Sequence, residues 1–366
     1  MGRGRFPGLD GLRFYAALGV AIMHAEQAAS IFGVANVYSL IYTLGDTCVS
    51  AFFVLSGFLI TFLLLDEFES GGVGLLNFYA RRALRIWPVY FALIFIAFFI
   101  LPAIPAMQVP GYDSAGTTSW WESFSLYMIF APHVAETWLP AIPFAGVLWS
   151  IGVEEWFYSV WPLVIREGLR PAVSVAAIIA IAWVGTSWLP RRLPSLMGML
   201  RFDCMAIGAL FAALTLHEMT KPLLTSLASI FLSRQAQIVV LAALPFTLAR
   251  QDHLSQAIIF GALIFNLATN RNSLLKLNAP IYRHLGALSY SMYAFNWIAA
   301  VIAVQVVGRA ISMRWLSGIA DFTVAIVLTF LFAHLSYYVI ERPFLTLQRH
   351  FRAATSQRPE NLSLAA

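Results

Sequence analysis

The sequence predicts an all-α fold, a polytopic transmembrane helix bundle of about ten spans with both termini in the cytoplasm. Three observations predict it. Of the 366 residues, 60% are hydrophobic and only 11% are charged, and the mean hydropathy is +0.76, far from the range of soluble globular domains. The apolar residues gather in runs of about 20, the length that crosses a bilayer as a helix. The basic residues are unevenly shared between the loops. With ten spans and a cytoplasmic N-terminus, all of the 23 Lys and Arg residues except Arg191, Arg192, Arg201, Arg250, Arg309 and Arg314 fall on the cytoplasmic side, the bias that orients membrane proteins.

The spans are expected over 11–30, 40–65, 86–104, 146–165, 171–189, 197–216, 235–250, 254–270, 284–307 and 318–340. The first run has no small-residue cleavage site, so it is expected to stay as the first helix. The stretch WWESFSLYMIFAP at 120–132 is short and ends in Pro132, which suits an interfacial or re-entrant segment. Counting it as a span would carry the Arg342 to Arg358 cluster outside. Residues 1–352 read as one transmembrane domain and 353–366 as a short disordered cytoplasmic tail. The formal charge of +5 is accounted for by basic cytoplasmic loops, with no nucleic-acid partner required. Cys48 and Cys204 lack metal-ligand spacing and read as small buried hydrophobes, and no metal site is expected.

Ionisable side chains inside apolar runs mark pathways, relays or sites, because each costs free energy at membrane depth. Arg13 and His24 are the first such pair. Eleven steps of an α-helix return to within about 20° of the starting direction, so both share a face, roughly 16 Å apart along the axis. A lone intramembrane His also has a structural reading, satisfied by a neighbouring helix. Arg82 and Arg85 stand one turn apart at the entrance of the third span, and such an arginine pair suits a polyphosphate. The same pair suits topology and lipid headgroups. Glu154 and Glu155 lie within the fourth span with side chains about 100° apart, so only one is expected to face a polar interior. Arg201 and Asp203 sit at the outer end of the sixth span, and Ser289, Tyr290, Ser291, Tyr293 and Asn296 enrich the ninth. In the outer segment 105–145, Trp120, Trp121, His133, Glu136 and Trp138 suit either sugar binding or interfacial anchoring.

Seven of these fragments occur in one order: LDGLR with Arg13-x10-His24, FFVLSGFLI at 52–60, Arg82-x2-Arg85, WSIGVEEWFY at 149–158, RFD at 201–203, LSYSMY at 288–293 and IERP at 340–343. In that order they resemble the acyltransferase 3 family of integral membrane O-acyltransferases. The resemblance implies a ten-helix domain of the cytoplasmic (inner) membrane that passes an acyl group, most often acetyl from acetyl-CoA, to a hydroxyl of a glycan or another secondary product. The implied partners are acyl-CoA as donor substrate, a carbohydrate or glycolipid acceptor and the bilayer, with no metal. By the same resemblance His24 and Arg13 form the essential first-helix motif, and Arg82 and Arg85 a second arginine motif that with Arg13 would hold the donor.

His24 is then expected to act either as general base or as a transient acyl carrier, with Glu154 or Glu155 stabilising an imidazolium or shaping the cavity. Ser56, Tyr290, Asn296 and Asp203 are the candidate substrate-binding residues. One departure stands out: Asn296 occupies a position where a second His is common, and an amide cannot act as a base. The chain ends soon after the last span, so a single-domain transfer is expected. The alternative is a transporter or flippase of glycolipids or small metabolites that uses the same residues as a proton relay.

Overall fold

The computed structural model describes residues 6–34, 38–69, 74–113, 115–166, 178, 192–217, 229–249, 252–270, 272–310 and 314–351. Regular structure among them is helical throughout, with no strand. Long helices dominate: α1 (Pro7–Ile31), α2 (Tyr38–Glu69), α3 (Leu75–Phe95), α6 (Trp149–Arg166), α11 (Pro280–Ala310) and α12 (Arg314–Ser336). Between α3 and α6 come the short α4 (Thr118–Met128) and α5 (Pro132–Trp138), and between α6 and α11 come α7 (Arg192–Leu200), α8 (Phe202–His217), α9 (Arg234–Ala249) and α10 (His253–Thr269).

Among the described residues, five stretches are long and apolar enough to cross a membrane: Ile41–Glu67, Leu75–Ala103, Ser195–Thr215, Pro280–Val307 and Gly318–Phe351. The protein is therefore a multi-pass membrane protein. α9 and α10 are shorter apolar helices, and α1 carries Asp10, Arg13 and Glu26 among its apolar residues. The expected span 171–189 and the tail 353–366 fall outside the described residues, apart from Ile178. The expected span 197–216 is interrupted at Arg201, whose φ of +41° lies in the left-handed region that costs a side chain about 1–3 kcal/mol. Helix α12 runs on through a π-helical turn, Tyr337–Glu341, into α13, Arg342–Leu347.

Helix α1 is the axis of the bundle, lying against α2 on one side and α11 on the other. On its far side α2 meets α8 through glycine. A Cβ added at Gly57 would lie 1.9 Å from the Met205 carbonyl oxygen, and one at Gly208 would lie 2.0 Å from that of Val54. Close backbone approach through small residues is how membrane helices gain packing without a hydrophobic drive. The FFVLSGFLI motif thus serves α2–α8 contact through Gly57 while aiming Ser56 elsewhere. Gly57→Val is expected to destabilise the bundle by about 1–3 kcal/mol, the usual cost of overpacking, readable as a lower unfolding midpoint in detergent.

The stretch 120–132 forms no span. α4 has 11 residues, about 16 Å at 1.5 Å per residue, and the chain turns back through Phe130 at φ +58° into α5. Aromatic packing seats this hairpin on α3 and the π-helical turn Ile96–Ile100 that follows it: Tyr90 stacks on Phe130 at 4.5 Å and donates to the Tyr127 carbonyl at 2.7 Å, while Phe98 meets Trp120 at 5.1 Å.

Candidate active site

Because α1 is continuous from Pro7 to Ile31, the face shared by Arg13 and His24 persists through the bundle, and the two side chains line different cavities. Arg13 borders a central cavity of about 100 Å³. Its other polar walls include Ser56 from α2, Arg82 and Arg85 from α3, Glu154 and Tyr158 from α6, and Tyr290 and Tyr293 from α11. Six of the ten candidate residues therefore meet in one space. Glu154 accepts hydrogen bonds from Ser56 Oγ at 2.6 Å and from the Tyr158 hydroxyl at 3.2 Å. Tyr290 donates to the Ile86 carbonyl at 2.8 Å and so ties α11 to α3.

Among the described residues, no carboxylate lies within ion-pair distance of the arginines of this cavity. Among the described residues the ion pairs are Arg81 with Glu67 and Asp46 with Arg201 and His253, and Arg82 Nε lacks a hydrogen-bond partner. Three guanidiniums facing one carboxylate leave a positive interior, and guanidinium forks match phosphate or carboxylate oxygens in pairs. Arg13 and Arg85 also border a second cavity of about 160 Å³ with Asp10, Arg283 and Glu341. A row of arginines thus leads from one end of the bundle to its centre.

His24 borders a third cavity, of about 170 Å³, together with Gln27, Tyr42, Asp46 and Trp149. Its Nδ1 lies 2.5 Å from Asn296 Oδ1. The Asn296 amide nitrogen donates to the Tyr293 carbonyl at 3.1 Å, which leaves only the amide oxygen to face the imidazole. The Nδ1 nitrogen is therefore the donor, and Nε2 keeps its lone pair. Asn296, at the position where the resemblance makes a second His common, thus hydrogen-bonds the Nδ1 side of the His24 ring. The edge of the ring meets Trp297 at 5.6 Å between centroids. The chamber of His24 and the central cavity share two wall residues, Val49 and Tyr293. The Tyr293 hydroxyl is itself engaged with Ser150 Oγ at 2.6 Å.

The remaining candidates lie apart. Glu155 diverges from Glu154 as the helical step requires. It accepts from Trp87 Nε1 at 3.1 Å and faces a groove of about 540 Å³ between α3 and α6, which shares Arg82 and Tyr158 with the central cavity. Neither glutamate hydrogen-bonds His24; the imidazole takes its orienting contact from Asn296. Asp203 turns its carboxylate onto the Cys204 backbone N–H at 2.9 Å at the start of α8 and borders neither chamber. The acid that reaches the His24 chamber is Asp46. It pairs with Arg201, whose Nη1 also donates to Ser50 Oγ at 2.9 Å and to the Asp46 carbonyl at 3.2 Å, with the guanidinium 5.6 Å from the Trp149 ring centre. These contacts hold the strained Arg201 backbone in place.

In the hairpin, Trp120 and His133 are buried and Glu136 accepts from the Tyr127 hydroxyl at 2.7 Å. Burial raises the Glu136 pKa, and it depresses that of His133 to about 4. Of the outer residues considered for sugar binding, only Trp121 and Trp138 are exposed.

A family model described as an acyltransferase domain matches residues 6–338. The chain belongs to the acyltransferase 3 family. Among curated members, the O-acetyltransferase OatA of Staphylococcus aureus is 27% identical over 373 residues, covering 92% of this chain and 57% of its own length. YrhL of Bacillus subtilis, by name a candidate peptidoglycan O-acetyltransferase, is 30% identical over 182 residues, covering 48% of this chain and 26% of its own. This acyltransferase 3 chain thus spans little more than half the length of the curated relatives it matches most fully. No solved structure matches it. Every cavity wall described above falls within the acyltransferase 3 match except Glu341.

Proposed function

We propose that this chain is a membrane O-acyltransferase that moves a short acyl group, acetyl, from acyl-CoA to a hydroxyl of a glycan. It would reside in the cytoplasmic (inner) membrane with both termini inside, the orientation that the distribution of Lys and Arg favours. The observation that carries this reading is the tandem of spaces along α1, with anion-seeking arginines in one and an oriented imidazole in the next. The names of the relatives favour acetyl as the group and cell-wall glycan as the acceptor class.

The chain's own groups fit a coenzyme A thioester. Arg13, Arg82 and Arg85 would take its phosphates, and the roughly 16 Å from Arg13 to His24 given by helix rise is of the order of a pantetheine arm. The acceptor would enter the outer chamber, where Asp46, paired with Arg201 and 3.9 Å from His253 Nε2, is the carboxylate placed to meet a sugar hydroxyl. His24 Nε2 then removes the proton of the attacking hydroxyl as its oxygen bonds the thioester carbonyl carbon. The carbon–sulfur bond breaks, and the proton passes from His24 to the departing thiolate. Glu154, held by Ser56 and Tyr158, keeps the arginines from repelling one another when no donor is bound.

Purified protein incubated with radiolabelled acetyl-CoA tests this reading. Donor-dependent acetylation of a glycan acceptor supports it, whereas uptake of glycolipid into proteoliposomes without donor consumption would favour transport. Arg82→Ala and Arg85→Ala are each expected to raise KM for the donor about tenfold or more, from loss of charge-assisted hydrogen bonds of about 1.5–3 kcal/mol, with kcat changed less.

A further inference from the structure

His284 on α11 and His334 on α12 stand apart from the proposed transfer site, and their ring nitrogens face each other. The two Nε2 atoms are 3.2 Å apart and the ring centres 5.2 Å apart. His334 Nδ1 lies 2.9 Å from the Phe330 carbonyl. A carbonyl only accepts, so Nδ1 carries the proton and the Nε2 lone pair of His334 points away from its own helix. A backbone acceptor behind the ring is the arrangement that fixes a metal-ligating histidine. His284 is exposed and His334 partly exposed on the outer faces of their helices, unlike the buried His24 network.

We propose that His284 and His334 form a binding site for a divalent late first-row metal ion, such as Cu²⁺ or Zn²⁺, that staples α11 to α12. Two nitrogens each about 2.0–2.1 Å from one ion, and 3.2 Å from each other, subtend an angle of roughly 100° at the metal, near the tetrahedral value. Imidazole is a preferred ligand of Cu²⁺, Ni²⁺ and Zn²⁺. Among the described residues no third His, Cys, Asp or Glu joins the pair, so water completes the coordination and the site is an open one. On metal binding the proton on His284 Nε2 moves to its Nδ1, and both Nε2 lone pairs meet the ion. The staple lies two turns before Tyr290 and three before Asn296 on α11, so it restrains the helix that carries them.

The test is titration of the purified, tag-free full chain with Cu²⁺ alone, followed by calorimetry and electron paramagnetic resonance. One ion per chain with hyperfine splitting from two nitrogens is expected. His284→Gln and His334→Gln should each weaken binding at least tenfold and remove one nitrogen coupling. His350→Gln, at a third exposed histidine, should leave both unchanged. Circular dichroism of each variant verifies that the helices persist. Wild-type affinity in the His284→Gln/His334→Gln double variant, coupling from other nitrogens, or an adventitious ion only would overturn the site.

Discussion

Replacing His24 by Ala lowers acyl transfer by about 10²–10⁴-fold, the range supplied by a positioned general base, while the protein remains folded and in the membrane. The expectation rests on geometry. The imidazole has one nitrogen committed to Asn296 and one with its lone pair intact, in a chamber with room for a hydroxyl. Asn296→Ala removes the orienting bond but leaves the base, and is expected to cost no more than about tenfold, the value of one net hydrogen bond near 1 kcal/mol. Because the two residues act as one unit, the double variant should be no worse than His24→Ala alone. Steady-state transfer from radiolabelled acetyl-CoA, with protein level checked by immunoblot of membranes, reads all three. A His24→Ala enzyme that keeps wild-type turnover removes the imidazole from the chemistry.

The largest loss of stability is expected from Asp46→Ala. Arg201 is 7% exposed and Asp46 15%, and removing the acid leaves a guanidinium buried without its counter-ion, an outcome that typically costs about 3–5 kcal/mol. Asp46→Asn keeps the shape and one acceptor and should cost less. The measurement is the unfolding midpoint in detergent, compared with Asp203→Ala, which gives up only a local bond to the Cys204 N–H and is expected to fall by about 1 kcal/mol. Equal midpoints for Asp46→Ala and Asp203→Ala would show that the Asp46–Arg201 pair does not hold α2 against the α7–α8 break.

Comparison of these residues shows what the chain makes legible. Arg13 with His24, Arg82 with Arg85, and the divergence of Glu154 from Glu155 all follow from the helical repeat, a local rule, and the structure keeps each relation. The partners do not follow, because they come from distant sequence: His24 meets Asn296 across 272 positions, and Arg201 meets Asp46 across 155. Asp46 carries the same signal as His24, an ionisable side chain in an apolar run, whereas the RFD motif at 201–203 points to Asp203. Only packing separates the two acids: one reaches a cavity, and the other turns onto its own backbone. The break at Arg201 was likewise unreadable, since hydropathy runs unbroken from Ser195 to Thr215 and a left-handed φ at an arginine has no sequence mark. The glycine contact of Gly57 with Met205 was half visible, in that small residues were present but their partners were not.

The partition formed by Val49 and Tyr293 bears on a hazard that any such enzyme faces. In the proposed reaction a group travels between two sides of a lipid barrier that holds ion gradients, and a continuous thread of water along that route would drain them. Here an apolar side chain stands between the two chambers, and beside it lies a phenol ring whose hydroxyl is bound to Ser150, so side-chain bulk and not open water fills this part of the route. Under the proposed function, insulation of this kind would let the chemistry be vectorial while the membrane stays electrically tight.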